Sequence, residues 1–284
     1  MNSKMEFFDA PPLRWTGSKW KMADWLISHF PPHKLYCEPF AGGAAVFFRK
    51  WPSRIEVLND LDGAVVNFFT VLRSRPDDLV RAIDLTPYSR AEYDLAYEPC
   101  DDPLERARRF YVLSRQSFGA FAGQKTGWRT QRDWKRGTGV VGEWRRLDGL
   151  LMAAERLKDA LIECDDASKV IARYDGSNAL FYVDPPYVLS ARSQGAKRRR
   201  YTHEMADADH RALAEMLQQV KGAVLLSGYR STLYETLYSD WQVLTKHMTT
   251  NGNSSAEECL WLSPRAMALS NWPLFRTDKR DSRG

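Results

Sequence analysis

Short apolar runs, each stopping at a turn signal or a helix start, recur along this chain and constrain its fold more than any other feature. They lie at residues 35–40, 54–58, 160–164, 179–183, 223–227, 243–248 and 259–262. Continuous apolar runs of this length read as strands buried on both faces, because a strand with one wet face would alternate. Between them come helical patterns. Residues 18–28 set Met22, Trp25 and Leu26 on one stripe, residues 62–73 repeat Val65, Val66, Phe69 and Leu72, and residues 205–220 carry Leu213, Leu217 and Val220. Asp207 and Asp209 suit the positive N-terminal end of the last of these. Strands alternating with helices predict an α/β fold whose mostly parallel sheet is covered on both faces.

The alternation breaks once. From about 76 to 149 helical patterns continue, among them 102–117 with Leu104, Ala107, Phe110, Tyr111 and Ser114 in register, but no buried strand is evident. The stretch 118–128 is rich in glycine and aromatic residues. Residues 76–149 therefore read as a mainly helical insertion, and the flanks 1–75 and 150–284 as one α/β unit. Charge follows this division. Between Arg106 and Arg146 stand eleven Lys or Arg against only Asp133 and Glu143, an excess of nine in a chain whose net charge is +5. The remainder is thus net negative, and positive charge gathered in one segment is the footprint of an anionic partner, with a solvated surface as the plainer alternative.

At 44% hydrophobic and 27% charged residues the composition is that of an ordinary globular chain, which excludes disorder and fibrous repeats. No apolar run approaches the ~20 residues of a membrane span. Residues 1–9 hold Glu6 and Asp9 and no apolar stretch, so no secretory leader is expected. Cys37, Cys100, Cys164 and Cys259 form no C-x-x-C pair, and a cytoplasmic protein is the expectation.

Chemistry concentrates at three places. The apolar run Phe181-Tyr182-Val183 leads straight into Asp184-Pro185-Pro186-Tyr187. Two prolines lack N–H groups and fix φ, which makes a stiff turn able to aim carbonyl oxygens outward. An acid at a strand's carboxyl end beside such carbonyls offers two acceptors to one amino group, and the adjacent Tyr offers a surface for stacking. An exocyclic aromatic amine is a poor nucleophile because its lone pair is delocalised, and two acceptors on its hydrogens localise and orient that pair. A rigid loop whose Asp caps the next turn is the structural alternative. The second place is Glu38-Pro39-Phe40-Ala41-Gly42-Gly43, where a strand ends in an acid and a glycine pair is expected to open a helix and admit a ligand close to the backbone. About twenty residues later Asn59-Asp60 puts an acid at the end of the next strand, a spacing that suits the two hydroxyls of a ribose. The third, Leu13-Arg14-Trp15-Thr16-Gly17-Ser18-Lys19, lacks the G-x-x-x-x-G-K-[ST] pattern of a triphosphate loop and reads by itself as a helix start capped by Thr16 or Ser18.

Trp15-Thr16-Gly17-Ser18-Lys19, Glu38-Pro39-Phe40-Ala41-Gly42-Gly43, Asn59-Asp60 and Asp184-Pro185-Pro186-Tyr187, in that order, resemble the Dam-type DNA adenine N6-methyltransferases, phage and prophage members above all. The resemblance covers both flanks. It implies a Rossmann-like S-adenosylmethionine-dependent methyltransferase sheet with an inserted target-recognition domain at 76–149. It implies that Trp15, Lys19, Glu38, Phe40, Ala41, Gly42 and Gly43 bind S-adenosylmethionine, that Asp60 holds its ribose, and that Asp165, beside Asp166, meets its adenine. Asp184 and the Pro185 carbonyl, in the frame of Pro186, would hold the target amine, with Tyr187 stacked on the base. Transfer would be a direct displacement without an enzyme-bound intermediate.

An adenine amine buried in a duplex is reached only by swinging the base out, so a surface that grips double-stranded DNA is required. Lys125, Arg129, Arg132, Lys135 and Arg136 in the insertion, and Lys197, Arg198 and Arg199 after the Asp-Pro-Pro-Tyr turn, are the candidates. Gln124, Arg129, Gln131 and Arg132 have the chemistry to read base edges. The Asn-x-x-Gly-x-Phe-Asn-x-Pro-type stretch associated with GATC readers has no counterpart after Gly123. A monomer, pairing if at all on DNA, is expected at the nucleoid of a bacterial or phage-infected cell. His203, Glu204 and His210 do not form H-E-x-x-H, and no metal is expected. Cytosine N4, RNA or a protein amide as acceptor, or a non-catalytic DNA-binding module on the same scaffold, are the rival readings.

Overall fold

The computed structural model describes residues 8–118, 126–131, 139–191, 201–249 and 255–270. A 3-10 turn, Trp20–Met22, runs into the short helix α1 (Ala23–Ile27). Strands β1 (Leu35–Glu38) and β2 (Ile55–Asn59) follow, then helices α2 (Gly63–Ser74), α3 (Pro76–Asp84), α4 (Arg90–Leu95), α5 (Pro103–Gln116), α6 (Gly139–Trp144) and α7 (Asp148–Leu157). The remainder alternates β3 (Ala160–Glu163), α8 (Ala167–Tyr174), β4 (Ala179–Val183), α9 (Asp207–Leu217), β5 (Ala223–Gly228), α10 (Thr232–Leu237), β6 (Gln242–Thr249), β7 (Ser255–Leu262) and α11 (Pro264–Ser270).

The seven strands form one sheet in the order β3-β2-β1-β4-β5-β7-β6. Strands β1 to β5 are mutually parallel, with Leu35 opposite Ile55 on one side and Ala179 on the other, and Leu180 opposite Ala223. β7 runs against both β5 and β6. Every residue of β4 and β5 is buried, as the apolar runs Ala179–Val183 and Ala223–Leu226 require, and the buried Ser227 hydroxyl is paired with Tyr182 Oη at 2.8 Å. Alternation along the strands sorts side chains to two cores: Tyr36, Leu58, Leu180, Tyr182 and Leu225 join one, Cys37, Val57, Phe181, Val183 and Val224 the other. This is the α/β sheet expected of an S-adenosylmethionine-dependent methyltransferase. The strand order reverses between β1 and β4, and a ligand crevice belongs at the carboxyl ends of those two strands.

Helix starts are capped as the sequence suggests. Asp62 accepts from Ala64 N at 2.9 Å, Asp102 from Glu105 N at 2.9 Å with Pro103 next, and Asp209 reaches back to Ala206 N at 2.8 Å. Two expectations fail. Neither Thr16 nor Ser18 caps the first helix; the 3-10 turn begins after Lys19 with no side-chain cap. No helix follows Gly42-Gly43, because Gly42 (φ 48°) and Ala44 (φ 50°) both lie in the left-handed region, and the chain turns loosely through Val46–Lys50 instead.

Helices α3 to α7 carry the stretch that interrupts the strands. They share the apolar core of α2: Phe68 stacks on Tyr111 of α5 with centroids 6.1 Å apart, and Leu79, Ile83, Trp144 and Leu150 close the same cluster. The expected boundary at 149/150 falls inside α7. Ser117 and Trp128 pair in an isolated antiparallel bridge, closed by Phe118 N to Gly127 O at 2.6 Å and Arg129 N to Gln116 O at 2.7 Å.

Candidate active site

A cavity of about 990 Å³ opens at the carboxyl ends of β1 and β4, near the upper end of the size of small-molecule pockets. The sequence segments singled out above meet there although they lie far apart in the chain: Trp15–Lys19, Glu38–Gly43, Asn59–Asp60 and Asp184–Tyr187 all line it.

Lys19 and Asp184 form its charged floor. The Lys19 ammonium stands 3.1 Å from Asp184 Oδ2, donates to Gly17 O at 2.9 Å and lies 4.8 Å from the centre of the Tyr187 ring. Burial alone would lower the lysine's pKa, but the attraction of Asp184 and Glu258 more than reverses this. Burial pushes the Asp184 carboxyl up, and Lys19 opposes the shift. Asp184 Oδ1 is shielded from solvent and meets no hydrogen-bond donor among the described residues, while the nearby Tyr187 hydroxyl, whose proximity also counters the burial shift of the acid, donates to Glu258 Oε2 at 2.8 Å. One oxygen of the acid is thus committed to a cation and the other awaits a donor.

The glycine turn forms a second wall. Gly42 N donates to Asp60 Oδ2 at 2.8 Å and Asp62 N to Asp60 Oδ1 at 2.9 Å, so Asp60 latches the loop after β1 to the loop after β2. Burial pushes Asp60 up to about 6 in spite of these two donors. The Trp15 indole lies on the glycines: a Cβ at Gly42 would sit 2.5 Å from its Nε1, and one at Gly43 2.9 Å from its Cβ. Glu38 is almost fully enclosed, accepts from Tyr36 Oη at 2.7 Å, and is pushed up to about 8 by burial. Asn59 ties the wall together, donating to Pro39 O at 2.9 Å and Asp165 O at 3.0 Å while accepting from Asp165 N.

Asp165 itself faces away. Its carboxylate pairs with Arg173 at 3.0 Å and Lys169 at 3.4 Å, and the cavity is lined instead by Asp166, Ala167 and Ser168. Arg129 is half-buried and paired with Glu143 at 2.7 Å. Lys125, Arg132, Lys135, Arg136, Lys197, Arg198 and Arg199 lie outside the described residues, as does Gln124. Sequence reasoning missed three contributors. Tyr201 meets Thr16 O through its hydroxyl at 3.4 Å, Tyr229 packs on Tyr187, and Glu258 receives the Tyr187 hydroxyl. Strand alternation in β7 could have pointed to Glu258, since it places Glu257 and Glu258 on opposite faces. Among the described residues no His/Cys/Asp/Glu group is arranged to hold a metal ion, and no helix is long and apolar enough to cross a membrane.

With this geometry in place, the comparisons with known proteins are informative. Residues 15–252 match the sequence model of the D12 class of N6 adenine-specific DNA methyltransferases. The chain is 27% identical over 241 residues to a DNA adenine methylase of Salmonella typhi, covering 80% of this chain and 83% of the relative. It is 25% identical over 241 residues to the DNA adenine methylase of Escherichia coli K12, with the same coverage. It is 27% identical over 266 residues to the type II methyltransferase M1.LlaDCHI of Lactococcus lactis, covering 87% and 90%. The matched span runs from Trp15, at the mouth of the cavity, past Asp184–Tyr187, and takes in most of the described site, Glu258 lying just beyond it. The chain belongs to the D12 class of N6 adenine-specific DNA methyltransferases, and it is a DNA-methylating enzyme of adenine specificity.

Proposed function

We propose that the cavity holds S-adenosylmethionine and an adenine swung out of duplex DNA side by side, and that the methyl group passes directly to the adenine N6. The observation that carries this reading is the divided Asp184 carboxylate, with Oδ2 held by Lys19 and Oδ1 shielded yet without a donor. An amino group brings the missing N–H. The Pro185 carbonyl takes the second hydrogen, and neither Pro185 nor Pro186 has an N–H to compete. Acceptors on both hydrogens raise the lone-pair density of N6 and fix its direction. Asp184 need not be a strong base, because the proton leaves after the new bond has formed. Tyr187, its hydroxyl pinned by Glu258, supplies the surface on which the base stacks.

The donor set fits the methyl donor. When bound, S-adenosylmethionine supplies an electrophilic methyl group on a positively charged sulfur. Glu38, enclosed and poorly ionised, is the carboxyl that such a cation would draw into its charged form. Asp60 uses one lone pair of each oxygen on backbone N–H groups and keeps others for the ribose hydroxyls. Trp15 and the Phe40–Gly43 turn form the apolar flank, and the wall at Asp166–Ser168 meets the adenine of the donor, with Asp165 acting there through the backbone that Asn59 anchors.

Duplex DNA is gripped by the basic residues of 76–149, the recognition part in this reading, among them Lys125, Arg132, Lys135, Arg136 and Arg129, the last set by Glu143, and by Lys197–Arg199, which follow the Asp-Pro-Pro-Tyr turn in sequence. The enzyme works as a monomer at the nucleoid. Labelled S-adenosylmethionine tests the reading: label is expected in adenine of duplex DNA, and sequencing of the modified bases maps the target site. Label confined to RNA or protein overturns it. Asp184→Ala is expected to abolish transfer while DNA binding persists, and retained turnover would place the amine elsewhere.

A further inference from the structure

Three elements converge on the Tyr187 side chain. Tyr229, immediately after β5, packs against it edge-on, with centroids 4.7 Å apart and planes at 77°. The Lys19 ammonium lies 4.8 Å from the ring centre. The phenol's far end donates to Glu258 Oε2 at 2.8 Å. Glu258 comes from β7, the reversed strand, and alternation separates it from its neighbour. Glu257 pairs with Arg230 at 3.6 Å and His247 at 3.7 Å, whereas Glu258 lines the cavity. The register sets Cys259 opposite Gly228, which brings Glu258 and Tyr229 to the same end of the sheet as the turn after β4. A carboxylate in that wall is held against a cost: burial pushes its pKa up, and Lys19 and the Tyr187 hydroxyl oppose the shift. An apolar side chain would fill the same wall without that cost, so the carboxylate has a task beyond packing.

Resting on the reading of Tyr187 as the surface for the target base, we propose that Glu258 is the positioning residue that fixes the plane of that ring, through the hydrogen bond it accepts from the Tyr187 hydroxyl. Stacking needs two faces in register, and the edge-on Tyr229 and the Lys19 ammonium bear on the ring itself, whereas the bond to Glu258 is directional at the far end of the phenol. With its hydroxyl anchored to a strand of the sheet, the ring is set before the base arrives. Loss of Glu258 is therefore a defect in receiving the base and leaves the donor's wall untouched.

The test uses the full chain, with kcat and KM measured for S-adenosylmethionine and for a duplex bearing the target adenine; a second duplex with 2-aminopurine in its place, which lacks the 6-amino acceptor, reports stacking alone. Glu258→Leu is expected to lower kcat/KM for DNA about tenfold, the size of one charge-assisted hydrogen bond. It should also alter the 2-aminopurine signal of the stacked base, while KM for S-adenosylmethionine stays within about twofold. Glu258→Gln, whose amide oxygen accepts the same bond, is expected to stay within about threefold of the parent. Combining Tyr187→Phe with Glu258→Leu should lose no more than the worse single variant. Parent-like activity and signal in Glu258→Leu overturns the proposal, as does a Gln variant as impaired as Leu, or losses that multiply in the double variant. If Glu258→Leu fails to fold, Tyr187→Phe and its combination with Glu258→Gln carry the test: the first should reproduce the loss and the second add nothing to it. A parent chain that leaves adenine in duplex DNA unmethylated defeats the reading of the site itself. A methylating parent indifferent to residue 258 defeats only this proposal.

Discussion

Four carboxyl groups, Glu38, Asp60, Asp184 and Glu258, border the cavity with their pKa values pushed up by burial, and the Lys19 ammonium stands closest to Asp184 among them. Such a gathering of carboxyls favours a cationic ligand, which is the electrostatic ground for the sulfonium donor proposed above. Glu38 allows a direct check on stability. Its native pKa, near 8, lies above the ordinary carboxyl value, so between the two the folded chain keeps a proton that the unfolded chain has released. Unfolding free energy then falls as pH rises through that window. Glu38→Gln keeps an acceptor for Tyr36 Oη and removes the titration. Urea melts are expected to give the Gln variant little advantage at about pH 5 and a growing one toward about pH 8; parallel pH dependences would contradict the assignment. At this scale the sequence revealed what was contiguous. Asp184–Tyr187 and Glu38–Gly43 carry their chemistry in adjacent residues, whereas the Tyr187–Glu258 bond spans 71 positions and leaves no local trace. Asp165 is a different case: its carboxylate pairs with Arg173 eight positions on, a pairing that the sequence does not announce.

Strands were the most legible elements, since β4 is apolar throughout, β5 is apolar up to Ser227, and both are buried throughout. The first half of β7 escaped notice because Ser255–Glu258 is mostly polar, as suits a reversed strand next to the edge of the sheet. The segment after Gly43 misled for a different reason. Its alanines and phenylalanines have helical propensity, but Trp15 packed on the glycines and the positive φ of Ala44 override it, at roughly 1 kcal/mol for a non-glycine residue in that region. The join across the inserted helices is held by a buried charge network. Glu56 of β2 receives Lys50 at 2.5 Å and Arg156 of α7 at 2.5 and 2.7 Å. These two cations outweigh burial and hold the Glu56 carboxyl below its ordinary value. Glu56→Ala leaves both buried cations uncompensated and is expected to cost about 3–5 kcal/mol, measured by urea unfolding; a loss under ~1 kcal/mol would mean that water already satisfies them.

For the molecule as a whole, charge is divided between an acidic remainder and a basic inserted segment, and this division is what salt titration reads. Each phosphate that is no longer neutralised by a side chain should reduce the slope of log K against log salt by about 0.9. Replacing Arg132, Lys135 and Arg136 by Gln is therefore expected to flatten it by up to about 3. Arg129→Gln alone should change it little, because Glu143 already neutralises that guanidinium. An unchanged slope in the triple variant would move the DNA path off this segment.

The stacking of Phe68 on Tyr111 bears on how such enzymes could diversify. Helices that share one interior with the catalytic sheet cannot be exchanged as a cassette, since a chimera carrying foreign helices would have to re-solve the interior of its host. New target preferences are more readily acquired by changes outside that shared interior, with the stacked pair left in place.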